Sequence, residues 1–326
     1  MLQVLRETGC DYDLFVMRIT ELVKATMGEE YDVRIYKVLK NNSLELDSLV
    51  ILKEGKKASP NIYLLPYYES YLEGIEIRKL ANRICASYQS YMADFCAPDF
   101  SYTFEDIKSK IIFRLVNYEK NKKLLENIPH IKYLDLAITF HCLVQNSGSG
   151  IGTIRITNEH MKLWSICLTE LKDYAVNNTK HEFPPIIRSM EEAILDMQRA
   201  EHEDQMQHKM TDGEHAEQMQ YETTEGIFCH TSRHQIYILS NSIGVNGATC
   251  LIYNSILKDF SSKLKTDLYI LPSSIHEVIL LPFHKSLSKR TLTEMVYHVN
   301  RTQVAEDEVL SDKVYYYSRE KNAILL

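Results

Sequence analysis

The sequence lacks both the long apolar runs of a membrane protein and the leader of an exported one. No uninterrupted apolar stretch reaches the roughly 18 residues that a membrane-spanning helix needs. The first residues, MLQVLRETGCDYDLF, carry four charged side chains where a secretory signal has its apolar core. We therefore expect a cytoplasmic protein with no membrane partner.

Closely spaced cysteine pairs are missing as well. The seven cysteines are odd in number, and no Cys-x-x-Cys pair occurs among them. A disulfide framework favours an even set, and a zinc ribbon favours close pairs. Cys142 and Cys250 lie inside apolar runs, so we interpret the cysteines as buried hydrophobic residues with reduced thiols.

The common metal and nucleotide motifs are absent. A zinc-protease helix needs His-Glu-x-x-His, but the three His-Glu pairs have Pro185, Met206 or Leu280 at the second histidine position. The glycines of SGSGIG lie between two predicted strands, whereas a phosphate loop joins a strand to a helix. We interpret this segment as a flexible hairpin, and we predict no metal site and no cofactor.

No part of the chain has the basic excess of a typical nucleic-acid-binding domain. The formal charge is −7, and residues 188–225 hold eleven acidic side chains against three basic ones. That segment alone carries −8, which leaves +1 for the remainder. We therefore do not expect nucleic acid as a partner, and residues 203–225 are predicted to be an extended or mobile acidic segment.

Hydrophobic spacing predicts a mixed α+β fold, with mainly antiparallel strand pairs and packed helices. Apolar residues at intervals of three and four predict a helix over residues 11–27, and YDVRIYKVLKNNSLELDSLVIL predicts a hairpin turning at its two asparagines. We divide the chain into two α+β units, residues 1–128 and 129–326.

Further along the chain, YLDLAITFHCLV predicts a central strand. Asn158 is the expected N-cap of a helix that passes through Leu171 and ends near residues 177–178. The segment after that helix begins with prolines and is then predicted to become an acidic helix, and TCLIY is predicted to be a strand.

The stretch DLYILPSSIHEVILLPFHK contains residue types used in nucleophilic and acid–base catalysis: Ser273, Ser274, His276 and Glu277. Adjacent residues of a strand point to opposite faces, so His276 and Glu277 would not address one substrate atom. We favour a hairpin whose polar turn faces water. The catalytic alternative uses His276 as general base, with Ser274 and Glu277 as the other candidates.

The stretch VNRTQVAEDEVLSD offers candidate ligand-binding residues in Asn300, Arg301 and Gln303. The guanidinium fork of Arg301 is suited to a carboxylate or phosphate. Capping of the preceding helix and anchoring of the loop are the favoured interpretation. The many tyrosines, such as Tyr71 and residues 315–317, suit either a binding surface or a core.

Taken together, YLDLAITFHCLV, LPSSIHEVILLP, VNRTQVAEDEVLSD, KVLKNN and NIYLLPYYESYLEG resemble an uncharacterised bacterial family, domain of unknown function 5688. The resemblance extends from about Val33 to Tyr317. It implies a cytoplasmic bacterial protein with no established activity, and it supplies no catalytic residues.

The sequence alone thus favours a non-catalytic interaction or accessory protein that binds a protein or a small ligand. The alternative is a hydrolase-type enzyme with His276 as general base and Arg301 holding an anion. In that enzyme, Glu277 or a more distant acid would orient His276. Association with nucleic acid is the weaker third hypothesis.

Overall fold

The computed structural model describes residues 9–55, 59–94, 103–147, 150–196, 198–199, 235–253, 255–272 and 274–326. Within them the chain has the predicted mixed α+β fold. The predicted acidic segment at 203–225 and Ser273 lie outside the described residues. Among those residues, no helix has both the length and the apolar character needed to cross a membrane.

Groups of helices alternate with groups of strands along the chain. The helices are α1 (Gly9–Met27), α2 (Leu65–Leu72), α3 (Ile77–Asp94), α4 (Phe104–Ile107), α5 (Lys122–Leu125), α6 (Asn158–Trp164), α7 (Leu168–Glu182), α8 (Ile256–Leu264) and α9 (Lys289–Thr302). The strands are β1 (Tyr31–Leu39), β2 (Glu45–Lys53), β3 (Ile62–Tyr63), β4 (Ile111–Asn117), β5 (His130–Tyr133), β6 (Leu136–Ser147), β7 (Gly150–Arg155), β8 (Pro185–Ser189), β9 (Tyr237–Asn241), β10 (Leu268–Leu271), β11 (Val278–Pro282), β12 (Tyr315–Ser318) and β13 (Ala323–Leu325).

The chain forms two compact units. The first unit comprises Met1–Ile111, Lys120–Ile128 and His141–Ser165, and the second comprises Ile112–Glu119, Pro129–Phe140 and Ile166–Leu326. The predicted boundary between residues 128 and 129 is one of the points where the chain passes between units. The simple division into 1–128 and 129–326 stays a prediction.

In the first unit, α1 and α3 pack with the antiparallel sheet β1-β2-β3. Phe15, Ile19, Val23 and Met27 recur every four residues along α1, and all four are buried. Burying a large aliphatic or aromatic side chain stabilises the fold by about 1.5–3 kcal/mol. The predicted hairpin is confirmed, with β1 and β2 joined by a 3-10 turn at Asn41–Ser43.

That turn is fastened by a buried asparagine. Asn42 and Ser43 adopt φ values of 58° and 60°, which asparagine tolerates better than most residues. The Asn121 side chain accepts the Asn42 N–H at 2.9 Å and donates to the Asn41 side chain at 2.9 Å. The Asn121 amide also donates to the Asn42 side chain at 3.1 Å, so three asparagine side chains are hydrogen-bonded together at the end of the hairpin.

A further sheet has β4 and β5 on either side of β6 and contains the predicted central strand. β6 pairs antiparallel with β5 over residues 136–139 and with β7 over residues 141–147. A bulge interrupts the second pairing between Leu143 and Gln145. Because β7 follows SGSG as a strand, the interpretation of that segment as part of a hairpin agrees with the structure.

The second unit contains a six-stranded antiparallel sheet in the order β13-β12-β10-β11-β9-β8. All four residues of β10 are buried, as expected for a central strand covered on both faces. Leu292 and Val296 of α9 pack against Tyr269, Leu271 and other residues on one face. The opposite face is equally buried, and Ile270 and Tyr315 there are fully enclosed.

The helix predicted to run through Leu171 is in fact two helices. α6 ends at Trp164 with Ser165 in the left-handed region, at φ 55°, and α7 then starts after Cys167. The N-cap of α6 is Thr157 rather than the predicted Asn158. α7 continues to Glu182, beyond the predicted end near residues 177–178, because its later turns bury Ala175 and Thr179.

Two local features differ from the sequence interpretation. The prolines after α7 open strand β8, which was not predicted, because Pro185 occupies an edge strand, where a missing N–H is tolerated. Residues 190–196 after that strand are helical, as predicted for the acidic helix. TCLIY lies mostly in a 3-10 helix over Gly247–Ile252, although most of its apolar residues are buried as a strand's would be. A short apolar run does not by itself distinguish these conformations.

Candidate functional site

Three polar stretches of the sequence meet in the second unit around residues 303–312, which we call the clasp segment. It follows α9 and carries Glu308 and Ser311. Hydrogen bonds join it to the β10–β11 connection, to the last turn of α9 and to the β5–β6 hairpin. The stretches around Asp135, His276 and Arg301 are therefore all hydrogen-bonded to the clasp segment.

The connection between β10 and β11 lies along the clasp segment. The two strands pair antiparallel, so the predicted hairpin is confirmed. The Ile275 N–H donates to the Glu308 carbonyl at 2.9 Å, and the Ser311 N–H donates to the Pro272 carbonyl at 3.0 Å. Ser274 forms an isolated antiparallel bridge with Val309.

The prediction that His276 and Glu277 point to opposite faces of a strand was wrong. Pro272 and residues 274–277 lie outside both strands, because backbone groups among them bond to the clasp segment and to the loop after β9. Glu277 is exposed, whereas His276 is partly buried. Of the predicted serines, Ser274 accepts the His276 N–H at 3.0 Å.

Both ring nitrogens of His276 have partners within the fold. Nδ1 accepts the backbone N–H of Asn246 at 3.3 Å, and Nε2 lies 3.3 Å from Oε1 of Glu308. A backbone amide can only donate, so the neutral ring carries its proton on Nε2, facing the carboxylate. This tautomer follows from the partners of the ring.

The backbone of His276 is packed against a glycine. Its carbonyl accepts the hydroxyl of Ser240 at 2.8 Å. A Cβ atom at Gly247 would overlap both that carbonyl oxygen and the Ser240 hydroxyl, and would lie 2.8 Å from the Asn241 nitrogen. Glycine is therefore required here by close approach, and the position of His276 is fixed by the backbone around it.

Asn300 and Arg301 hold the far end of the clasp segment. The Asn300 amide is buried, and it donates to the Ser311 carbonyl at 3.0 Å and to the Asp312 carboxylate at 2.9 Å. Arg301 Nη1 donates to the same carboxylate at 3.3 Å, and the guanidinium lies 3.3 Å from the centre of the Tyr297 ring. Gln303, the third candidate, is exposed and caps α9 through its backbone N–H.

Asp135 is the polar residue at this site that the sequence interpretation missed. Its carboxylate accepts the Ser311 hydroxyl at 2.6 Å and the Tyr315 hydroxyl at 2.7 Å. Burial and the Asp135 charge raise the pKa of Tyr315 well above its usual range, so the hydroxyl remains a donor. The available signal was one acid within the otherwise apolar run YLDLAITF.

Glu308 and Asp312 were also missed as specific partners, although both belong to the quoted stretch VNRTQVAEDEVLSD. Both residues belong to the clasp segment and attach it at two different points. Glu308 lies against His276, and Asp312 binds Arg301. No recorded hydrogen bond or ion pair joins His276 to Arg301 within the described residues. Each of the two carries a carboxylate partner of its own.

A general base needs an open lone pair directed at a substrate proton. The Nδ1 lone pair of His276 is taken by the Asn246 amide. Arg301 is partly neutralised by Asp312 before any ligand anion arrives. The arrangement is therefore suited to fixing a loop, which is the favoured interpretation of both polar stretches.

Elsewhere the described residues include no group of three or more His, Cys, Asp or Glu side chains placed to hold a metal ion. Cys142 and Cys250 are free and buried, and burial raises their thiol pKa values to about 11 and about 12. Cys167 is free but exposed, contrary to the prediction of burial, because it caps the solvent-facing start of α7.

A groove of about 430 Å³ lies along α7. Its described lining residues are Cys167, Thr169, Glu170, Asp173, Tyr174 and Asn177. None of these residues was a candidate from sequence.

The comparison with protein families finds a match over most of the chain. The profile of a family of unknown function, domain of unknown function 5688, matches residues 12–319. No curated protein and no solved structure matches the chain. The match covers nearly the full length and includes Asp135, His276, Arg301 and the whole clasp segment, so the chain belongs to this family.

Proposed function

We propose that the protein acts by binding rather than by catalysis, as a cytoplasmic interaction or accessory protein in a bacterial cell. The observation that carries the proposal is the saturation of His276, whose Nδ1 and Nε2 both face partners of the same chain. The pairing of Arg301 with Asp312 adds to it. Cys85, Cys142, Cys167 and Cys250 are free, which is in keeping with a reducing compartment.

Exposed apolar side chains on α1 and α2 of the first unit supply a surface for a partner. Leu72 and Tyr71 are 60% and 37% exposed, and Met17 is 54% exposed. Tyr71 packs on Phe15 with ring centroids 5.3 Å apart, which links the two helices. Aromatic and methionine side chains are enriched at protein interfaces.

The test is capture of complexes from a native lysate, using the wild type and a Tyr71→Ser/Leu72→Ser double variant. The wild type is expected to retain a stoichiometric partner or a second copy of itself, which the double variant loses. Tyr297→Ser is the matched control, since Tyr297 is an exposed helical tyrosine whose ring is already stacked by Arg301. A monomeric protein with no stable partner at native concentration would contradict the proposal.

One specific observation favours the hydrolase alternative. The His276 imidazole and the Glu308 carboxylate form a pair at 3.3 Å. It predicts turnover of ester, phosphoester or peptide substrates that His276→Gln abolishes and that Thr26→Ala, at an exposed position of α1, leaves intact. Turnover with that dependence would replace the binding proposal. Hydrolysis at the same background rate by the wild type and by His276→Gln would rule out a hydrolase that uses His276 as its general base.

A further inference from the structure

Strand β1 lies at the edge of the three-stranded sheet of the first unit, with β2 on one side and no other described strand on the other. It is nine residues long, as β2 is, and the two strands pair over their full length. The side chains of Arg34 and Lys37 are 65% and 73% exposed, and Tyr36 is 47% exposed, so the strand faces solvent. A long exposed edge is a template for a further strand.

Two hydrogen bonds show which backbone groups of β1 point outward. The Glu30 carbonyl accepts the Glu54 N–H at 3.0 Å, and the Lys40 N–H donates to the Leu44 carbonyl at 2.8 Å. Both ends of the strand therefore turn their even-numbered residues toward β2. Because the pairing is continuous and backbone groups alternate in direction, the odd-numbered residues of 33–39 direct their N–H and C=O groups to the open edge.

These outward groups fit one kind of partner. Donors and acceptors alternate along the edge at a spacing that only another extended backbone matches. The edge strand β8 of the second unit is guarded against such pairing, since Pro185 has no N–H and the Ser189 N–H bonds to Glu192 at 2.8 Å. Strand β1 contains no proline, and no hydrogen bond from another described segment covers its outward groups between Val33 and Leu39.

The charged side chains of β1 do not oppose pairing with a second strand. Uncompensated charges, of lysine above all, commonly keep edge strands apart. Here Arg34 pairs with Asp32 at 2.6 Å, and Lys37 pairs with Asp47 on β2 at 3.1 Å. Each of these charges is balanced within its own chain, so two copies of this edge approach each other without net repulsion.

We propose that the protein forms a two-fold symmetric dimer in which β1 pairs antiparallel with β1 of a second copy. Centring the pairing on Ile35 overlaps all nine residues of both strands and sets outward-pointing groups against each other. The two sheets join into one continuous antiparallel sheet, with their core-facing sides on the same face. Such a contact is isologous, so every hydrogen bond away from the axis occurs twice.

The side chains of β1 suit this register. On the core side, Ile35 and Tyr31 pack against the core of the first unit and are only partly buried. They would lie opposite Ile35 and Leu39 of the second copy. On the other side, Arg34 would lie opposite Tyr36 of the second copy, as a cation–aromatic pair. A register centred on Arg34 would instead set two guanidinium groups opposite each other.

The dimer goes beyond the function proposed above and does not rest on it, because it uses no side chain of α1 or α2. The Tyr71→Ser/Leu72→Ser variant should therefore still dimerise through β1. Either proposal can fail without the other.

The test is sedimentation of the full chain over a series of concentrations, where the wild type is expected to be a dimer that dissociates on dilution. Lys37→Pro removes an outward N–H, which an edge strand tolerates, and places a ring where the second copy pairs. It should raise the dissociation constant about tenfold or more, because symmetry removes two hydrogen bonds. Lys37→Ala is the matched control. It loses the same side chain and the same pair with Asp47 but keeps the N–H, and should dimerise as the wild type does.

Hydrogen exchange of the wild type, read at single residues, tests the same contact without a substitution. The outward N–H groups of Val33, Ile35 and Lys37 should be protected in the dimer and exchange rapidly after dilution. Those of Arg34 and Tyr36 face β2 and should be protected in both states. If Lys37→Pro does not fold, as judged by its melting curve, this exchange pattern decides.

Three results would overturn the proposal. The first is a wild type that is monomeric at every concentration. The second is a dimer whose outward β1 amides exchange as fast as in the monomer. The third is a folded Lys37→Pro variant that associates as tightly as Lys37→Ala.

Discussion

At the scale of single residues, Asp135 decides how the clasp segment is attached. One carboxylate oxygen accepts the Ser311 hydroxyl and the other accepts the Tyr315 hydroxyl, and both donors are fully buried. A carboxylate with two neutral donors keeps its charge stabilised without a salt bridge. Removing either donor leaves an acceptor of the partly buried Asp135 carboxylate without that hydrogen bond.

We therefore expect Ser311→Ala and Tyr315→Phe each to lower the free energy of unfolding by about 1–3 kcal/mol. Because both hydroxyls share Asp135, their effects should be non-additive in a double-mutant cycle measured by urea unfolding. Ser262→Ala, at an exposed position of α8, is the control and should stay within about 0.5 kcal/mol of wild type. Variants no less stable than this control would show that Asp135 is not an anchor.

His160 makes α6 sensitive to acid. In the capping box of this helix, Thr157 accepts the His160 N–H, and Nδ1 of His160 accepts the Thr157 N–H at 3.1 Å. Burial lowers the pKa of His160, with Glu159 acting in the opposite direction. The stabilisation is therefore complete above the unfolded histidine pKa of about 6.5 and is lost as pH falls through the lower folded value.

The expected outcome is that stability falls more between about pH 7.5 and about pH 5 in the wild type than in His160→Gln, whose side chain can complete the capping box without titrating. Trp164 stacks on His160 with ring centroids 5.2 Å apart, so its fluorescence follows the event directly. The same pH dependence in both proteins would contradict a role for His160. A capping box contributes up to about 1 kcal/mol, which sets the size of the effect.

At the scale of elements, the 3-10 helix at 247–252 and the β10–β11 connection approach each other at Gly247. The Ala248 N–H donates to the Ile275 carbonyl at 3.1 Å, directly beside the overlap that a Gly247 side chain would create. A new methyl group here meets backbone atoms, which cannot rotate away. The overlap is relieved only if the 3-10 helix and the β10–β11 connection move apart.

Gly247→Ala is thus expected to lower the free energy of unfolding by about 1–3 kcal/mol through overpacking. Gly152→Ala is the matched comparison, because its nearest neighbours lie at 3.2 Å and two of them are side-chain carbons that can shift. Thermal denaturation should place Gly247→Ala clearly below Gly152→Ala. The reverse order would show that the close approach at Gly247 is not a constraint.

The open edge of strand β8 is protected in two ways. The hydrogen bonds between β8 and β9 extend from the Pro184 carbonyl to the Met190 N–H. In this register the backbone groups of Pro185, Ile187 and Ser189 point away from β9, toward the open edge of the sheet. Pro185 has no N–H to offer, and the Ser189 N–H is capped by Glu192 at 2.8 Å. No other described strand pairs with this edge. The missing N–H of Pro185 and the capped N–H of Ser189 disfavour pairing with a strand of another chain.

Replacing both protections, as in Pro185→Thr/Glu192→Ala, should increase self-association measured by analytical ultracentrifugation. The Thr26→Ala variant on α1 is a surface control that should leave the sedimentation unchanged, since its exposed hydroxyl bonds only within the helix. An unchanged double variant would indicate that the edge is already covered.

At the scale of the whole molecule, local patterns predicted most elements. Spacing of four along α1 and the asparagine turn between β1 and β2 both produced the structure expected, because each depends on neighbouring residues. The strand that was missed, β8, and the assignment that failed, in the 3-10 helix, depend on what packs or pairs with the segment. Sequence within a short window does not contain that information.

The candidate site shows the same limit more strongly. Ser311 meets Asp135 across 176 positions of sequence, and no local pattern indicates the pairing. His276 and Arg301 were found from residue type alone, but the partners that occupy them come from other segments. Their chemical availability could therefore be judged only after the clasp segment was placed.

The most direct test of the central claim, that His276 fixes the clasp segment and is closed to proton transfer, is the tautomer of its imidazole. Long-range ¹H–¹⁵N NMR of histidine-labelled protein at mildly alkaline pH distinguishes the two ring nitrogens, and His276→Gln identifies the signal. We expect the proton on Nε2, facing Glu308, with Nδ1 accepting the Asn246 amide. A ring protonated on Nδ1 with an open Nε2 lone pair would contradict the account and return His276 to the list of candidate general bases.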